Sequence, residues 1–272
     1  SIEDLNYLNK ELLGKPYIGI DTEFRRTTKD NMKLALLQVN DNEEIYLIDT
    51  VLITNPGESC SFLFSEEVLK IFHSCKEDIE AIYSWTGGIV NNLFDTQLAE
   101  AFLNGEYSIG YQGLVESKLE VKIDKGETRS NWVRRPLTDS QLNYAASDVE
   151  FLILLYFEQK LALTESNKVE WFKEELDFLV SKLFDQGLEV IESNSYLTKK
   201  EESRILYKFN EIVNHYALDH EINPTMLFSK KNQKDFIRLI LDLGFEEACT
   251  KITVWRSNIL KAPLKNLLKE YL

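Results

Sequence analysis

The sequence predicts an α/β fold, a mixed sheet flanked by helices, followed by a smaller all-helical domain. Three observations carry this. Strand-length apolar segments crowd the first hundred residues, capping-box signals open helices between and after them, and no convincing strand pattern occurs beyond Leu163. Residues 17–24, 33–40 and 44–49 read as consecutive strands, and Asn40-Asp41-Asn42 is a hairpin signal between the last two. Residues 69–73 form a further short strand. A helix follows, opened by Ser74-Cys75-Lys76-Glu77 as a capping box and closed at Gly87-Gly88. Residues 93–95 make a last short strand before a helix that runs to Asn104-Gly105. After Pro136, Thr138 and Gln141 cap a strong helix whose apolar stripe is Leu142, Ala145, Val149, Leu152 and Tyr156. The polar stretch Thr164–Asn167 divides the chain into domains 1–165 and 166–272, the second with helix breaks near 187–195, Asn223-Pro224 and Gly244.

Composition bounds the function. The 272 residues are 44% hydrophobic and 28% charged with 11 Gly and 5 Pro, as a well-packed globular chain requires. The longest apolar run, Phe151–Phe157, is too short to cross a bilayer, and no secretory pattern opens the chain, so no membrane partner is expected. Three widely spaced cysteines, Cys60, Cys75 and Cys249, argue against a disulfide framework or a zinc site and suit a reducing cytoplasm. The net charge is −14, of which −13 falls in residues 1–165 (15 Lys and Arg against 28 Asp and Glu) and −1 in residues 166–272. Such a surface disfavours tight, general binding to duplex nucleic acid but is tolerable in an enzyme that grips a chain end.

Part of that acidity has a pattern. Asp21 and Glu23 are two apart on a strand, so they share a face, with Cα atoms roughly 7 Å apart. Asp78 falls in the first turn of its helix, and Tyr144 and Asp148 are four apart on one helix face bordering the core. Each has an ordinary explanation taken singly: a solvated strand edge, a carboxylate at a helix dipole, a Tyr144–Asp148 hydrogen bond. His73 is a ligand candidate or a hydrogen-bonded strand-end residue, and Asp95 reads as a helix N-cap. Taken as a set, four carboxylates and a phenol suit hydrolysis of a phosphodiester by two divalent cations, Mg²⁺ or Mn²⁺. Hard ions prefer oxygen ligands, and a pair of them about 4 Å apart can hold both the attacking and the leaving oxygen of an in-line displacement.

The ordered motifs Ile20-Asp21-Thr22-Glu23-Phe24, Leu34-Ala35-Leu36-Leu37-Gln38, Tyr46-Leu47-Ile48-Asp49 and Phe94-Asp95-Thr96-Gln97-Leu98-Ala99 belong to one pattern. It continues through Gly110-Tyr111-Gln112-Gly113-Leu114-Val115, Asp124-Lys125-Gly126, Trp132, Arg135-Pro136-Leu137-Thr138 and Tyr144-Ala145-Ala146-Ser147-Asp148-Val149. Over about residues 15–160 this resembles the DEDD exonucleases of the tyrosine subtype, and among them the ribonuclease D family. The resemblance implies a ribonuclease-H-like fold and 3′→5′ hydrolysis releasing nucleoside 5′-monophosphates, with tRNA precursors as substrates. It implies Asp21, Glu23 and Asp148 around the ion that activates water, Asp21 and Asp78 around the other, and Tyr144 orienting the nucleophilic water. No matched site position is substituted.

The segment Lys122–Arg135 carries five basic residues against two acidic ones. Lys125, Arg129, Trp132 and Arg135 are its candidates for phosphate contact and base stacking, the alternative being a solvated loop with Trp132 in the core. Trp255-Arg256-Ser257-Asn258-Ile259-Leu260 resembles the end of an HRDC module, so the tail is either HRDC-like and RNA-binding or a packing domain. The expected partner is a single-stranded RNA 3′ end, with no obligate protein partner. A DNA exonuclease with the same chemistry and a catalytically silent nucleic-acid-binding scaffold are the alternatives.

Overall fold

β1 (Tyr17–Thr28) lies at the centre of a five-stranded sheet of order β3-β2-β1-β4-β5. β2 (Asn31–Asn40) runs antiparallel to β1, and β3 (Ile45–Asp49) antiparallel to β2. On the other side β4 (Leu69–Phe72) and β5 (Leu93–Asp95) run parallel to β1. The structure is a computed structural model that describes all residues except 29–30, 104, 124–125, 128–129, 185–196 and 270–272. All five predicted strands are present, in a mixed sheet flanked by helices, and β1 and β2 extend past their predicted ends into a two-stranded arm.

Two helices carry no clear signal in the sequence. α1 (Ile2–Leu13) buries Leu5, Asn9 and Leu12, and the polar residue in mid-stripe hides the helical period. Asn9 donates to Glu58 O and Ser61 Oγ and accepts from Phe62 N, which is how an amide is tolerated there. The other missed helix, Tyr111–Leu119, is short and carries Gly113. Between them lie two helices of the predicted kind, α2 (Lys76–Thr86) and α3 (Thr96–Phe102). The short helix Tyr111–Leu119 is α4.

The predicted Thr138 capping box is formed and opens α5 (Asp139–Glu150). The chain then turns at Phe151 and resumes as α6 (Leu152–Glu165). Leu142, expected in the buried stripe, is 36% exposed. Gln141 occupies the inward position instead, because its amide serves both the cap and Ser130 Oγ at 2.8 Å.

The described residues form two compact units: 1–99 with 109–162, and 100–108 with 163–272. The second unit is helical, built from α7 (Val169–Phe184), α8 (Lys199–Asp219), α9 (Pro224–Phe228), α10 (Lys230–Leu243), α11 (Phe245–Cys249) and α12 (Val254–Leu268). Ile205, Phe209, Val213 and Ala217 recur every four residues along α8 and are buried. Phe102 of the 100–108 segment packs on Phe172 and Trp255, and Lys168 Nζ donates to Phe102 O at 3.0 Å. Arg256 pairs with Glu175 through Nη1 and Nη2 and also donates to Leu227 O and Met226 O. The Trp255-Arg256 motif is therefore part of this unit's interior. No helix among the described residues is long and apolar enough to cross a membrane.

Candidate metal centre

The two faces of β1 do different jobs, and the side-chain contacts identify them. Thr22 and Arg26 reach α2, through Thr22 Oγ1–Asp78 Oδ1 (2.5 Å) and Arg26 Nη2–Glu80 Oε2 (2.6 Å). Gly19, Asp21, Glu23 and Arg25 therefore lie on the opposite face. That face meets α5. Asn40, paired in register with Gly19, donates to Val149 O and Glu150 O at 3.0 and 3.1 Å and pins the helix end to β2. Gly19 permits the approach, since a Cβ there would sit 3.1 Å from Leu152 Cβ. Tyr111 Oη accepts from Phe151 N at 2.9 Å and fixes the α5–α6 junction.

The last turn of α5 thereby brings Asp148 to the strand pair. Asp21, Glu23 and Asp148 each offer a carboxylate oxygen within 4.8 Å of the others, a group able to hold a metal ion. Asp78 stands outside this trio, held by Thr22, yet its charge is felt by both Asp21 and Glu23. Its helix is not opened by the predicted Ser74–Glu77 capping box. Ser74 takes a φ of 63°, and the Asp95 carboxylate accepts from Ser74 N (3.0 Å) and Cys75 N (2.8 Å) while also capping α3 through Gln97 N and Leu98 N. One acid thus anchors two helix starts, which exceeds the N-cap role expected of it. His73 is structural: Nδ1 lies 2.9 Å from Thr96 Oγ1 and Nε2 lies 3.0 Å from Ile109 O.

Burial raises all four carboxyls. The like charges of Asp78, Asp148 and Glu23 push Asp21 further up, and those of Asp148 and Asp78 help lift Glu23 to about 9. Asp78 is raised to about 7, eased by the Thr22 hydrogen bond, and Asp148 to about 6, eased by a hydrogen bond from Tyr144. None of the ion pairs among the described residues involves these four acids. Crowded, desolvated carboxylates without a basic partner fit hard divalent cations, which bring the missing positive charge.

The predicted RNA contacts fare differently. Trp132 is 4% exposed and packs with Ala35, Leu36 and Ala145 beside Tyr144, so it cannot stack on a base. Arg135 is equally committed. Its guanidinium binds Asp49 through Nε and Nη2 (2.6 and 2.7 Å) and donates to Ala35 O, Trp132 O and Arg134 O, leaving no free fork for a phosphate. Both assignments are corrected: these residues brace β2, β3 and α5. Lys125 and Arg129 lie outside the described residues. Arg25 and Lys33 face each other across β1 and β2, exposed and without an ion pair among the described residues, on the face that carries Asp21 and Glu23, and neither stands out in the sequence. The signal was present in the strand alternation, obscured by a β-bulge between them and the acids.

Two acids on a central strand thus meet a third on a crossing helix, with a fourth at a helix start, in a chain that matches a family of 3′-5′ exonucleases. Residues 1–164 match that family, and the chain belongs to it. Within it the likeness is to ribonuclease D. The chain is 39% identical over 166 residues to Ribonuclease D of Pseudomonas paraeruginosa, covering 61% of this chain and 44% of that one. It is 41% identical over 152 residues to Ribonuclease D of Haemophilus influenzae, covering 55% and 38%. The matched stretch thus spans less than half of either relative. The solved Escherichia coli RNase D, described as an exoribonuclease involved in structured RNA processing, shares the fold, with a TM-score of 0.64 over 98% of this chain and 72% of that one at 22% identity.

Proposed function

We infer that the protein is a metal-dependent 3′→5′ exoribonuclease that trims single-stranded 3′ ends of structured RNA, such as tRNA precursors, and releases nucleoside 5′-monophosphates. The observation that carries this is the convergence of Asp21, Glu23 and Asp148 within 4.8 Å in a chain whose first 164 residues belong to the 3′-5′ exonuclease family. Asp21, Glu23 and Asp148 would hold one divalent ion and Asp21 with Asp78 a second, Mg²⁺ or Mn²⁺. Bound there, such ions supply positive charge that lowers the pKa of water and neutralises the departing 3′ oxygen. The Tyr144 phenol, hydrogen-bonded to Asp148, is held at the edge of the trio, where it can orient the attacking water against the phosphorus. Arg25 and Lys33 replace Trp132 and Arg135 as the residues that meet the phosphates. Two like charges directly opposed on neighbouring strands are relieved by an anion between them. Residues 166–272 act as an HRDC-like module of the same enzyme, and buried free Cys60, Cys75 and Cys249 suit a cytoplasmic setting.

The test uses end-labelled RNA and DNA of one sequence with Mg²⁺, with Mn²⁺, and with chelator. Stepwise loss of 3′ nucleotides from RNA, abolished by chelator and by Asp148→Asn in a protein that still folds, is the expected result. Undiminished hydrolysis by Asp148→Asn would remove the assignment, and a preference for DNA would move the substrate to the other nucleic acid.

A further inference from the structure

Gln38 of β2 is fully buried, and neither its Nε2 nor its Oε1 has a hydrogen-bond partner among the described residues. A buried primary amide left unpaired is costly at both ends, so a position that retains one needs a reason. Its surroundings are defined by register. Gln38 is directly opposite Asp21 on β1 and opposite Leu47 on β3. Side chains directly opposed on antiparallel strands share a face, with Cβ atoms about 5 Å apart. Along β2 the same face carries Leu36, which packs on Ala145, and Asn40, which holds Val149 O and Glu150 O. Gln38 therefore lies beneath the α5 turn that presents Asp148 and beside the strand residue that presents Asp21. Leu36 and Leu47 are apolar. The Asn40 amide is committed, its Nδ2 to α5 and its Oδ1 to Asn42 N. Among its strand neighbours, only Asp21 offers an acceptor to the Gln38 amide.

We propose that Gln38 is a positioning residue for the metal centre: its side-chain N–H, unpaired in this structure, donates to the Asp21 carboxylate, directly or through one water, when a divalent cation is bound. This rests on the reading of Asp21 as a cation ligand. It assigns the donor that Asp21, unlike Asp78 with Thr22 and Asp148 with Tyr144, otherwise lacks among the side chains around it. Outer partners of metal-binding carboxylates fix ligand orientation, and their removal typically costs about 10- to 100-fold in metal affinity or activity.

The experiment compares wild type with Gln38→Met, which keeps the volume and removes both polar ends. Mn²⁺ binding is measured by electron paramagnetic resonance of MnCl₂ titrations, and stability is measured as the melting temperature in chelator. Weaker Mn²⁺ binding by about tenfold or more, together with an unchanged or raised melting temperature, is expected, because the variant loses an orphaned amide and a ligand partner at once. Wild-type affinity in Gln38→Met would overturn the proposal while leaving the metal centre standing. A wild type that binds no Mn²⁺ would overturn both. If Gln38→Met does not fold, the Gln38 side-chain amide of the wild type is followed by ¹⁵N NMR during a Mg²⁺ titration. A shift with slowed hydrogen exchange supports the role, and an unmoved resonance refutes it.

Discussion

Thr22 illustrates how one side chain sets the geometry of another. Its hydroxyl donates 2.5 Å to Asp78 and holds the carboxylate against the strand that carries Asp21 and Glu23. That bond lowers the Asp78 pKa against the burial that raises it, so it favours the ionised form a cation needs. Thr22→Val keeps the β-branched shape and removes the donor. The expected result is divalent-ion affinity weakened by about tenfold with an unchanged fold, read by calorimetric Mg²⁺ titration beside a circular dichroism spectrum. Equal affinity in the two proteins would show that Asp78 is held by other means. Asp21, Glu23 and Asp148, which the structure brings together, stand out in the sequence by residue type and spacing. Thr22 does not, because a threonine on a strand is ordinary and its partner lies 56 residues away.

At the scale of elements, the arm formed by β1 and β2 and the clamp around Arg135 carry separate predictions. Substituting Arg25 and Lys33 together by Ala should raise KM with little change in kcat. The salt dependence of kcat/KM should flatten by about 0.7 log units per log unit of salt for each single-strand phosphate that is no longer neutralised. An unaltered salt slope would assign the strand contacts elsewhere.

Arg135 acts differently, because its fork joins β3 to the backbone of β2. Burial raises the Asp49 pKa, but the Arg135 hydrogen bonds and charge outweigh it and hold the carboxyl below its usual range. A depressed folded pKa means that the unfolded chain binds the proton more readily. The stabilisation is therefore complete above the unfolded value near 4 and is lost as pH falls through the folded one. Arg135→Lys, which cannot reproduce the two-pronged bond, should cost about 1–2 kcal/mol at pH 7 and less at pH 3, by chemical denaturation at both values. A penalty independent of pH would mean that the carbonyl contacts of Arg135, not Asp49, carry the effect. The sequence offered Arg135 as a phosphate contact and left Trp132 open between base stacking and the core, because a basic stretch with one aromatic looks the same whether it meets solvent or braces a sheet. Only the position of Asp49, Ala35 and Leu36 distinguishes the two.

Across the whole molecule, chain order and compact units do not coincide. The 100–108 segment belongs with residues 163–272: Asn223 N donates to Ala101 O, Asn223 Nδ2 donates to Gly105 O, and Phe102 is buried against Phe172 and Trp255. A protein ending at residue 165 would expose Phe102, a side chain whose burial is worth roughly 1.5–3 kcal/mol. Its melting temperature should fall below that of the full chain, and Phe102→Ser in the truncated protein should change stability far less than in the intact one. Equal effects in both would show that the partners beyond 165 contribute nothing to Phe102.

Periodicity determined the strands, the capped α5 and the helical character of the second half, because repeats of two and 3.6 residues are local properties of a chain. Spacing within strand and helix determined which acids could share a face. What the chain could not settle locally was which buried polar groups meet. Asp95 closing two helix starts, Asn40 and Gly19 pressing α5 onto β1, and Gln38 lying opposite Asp21 all depend on residues dozens of positions apart. The tertiary structure decided those, since desolvation and hydrogen bonding act on distance in space and are blind to distance along the backbone.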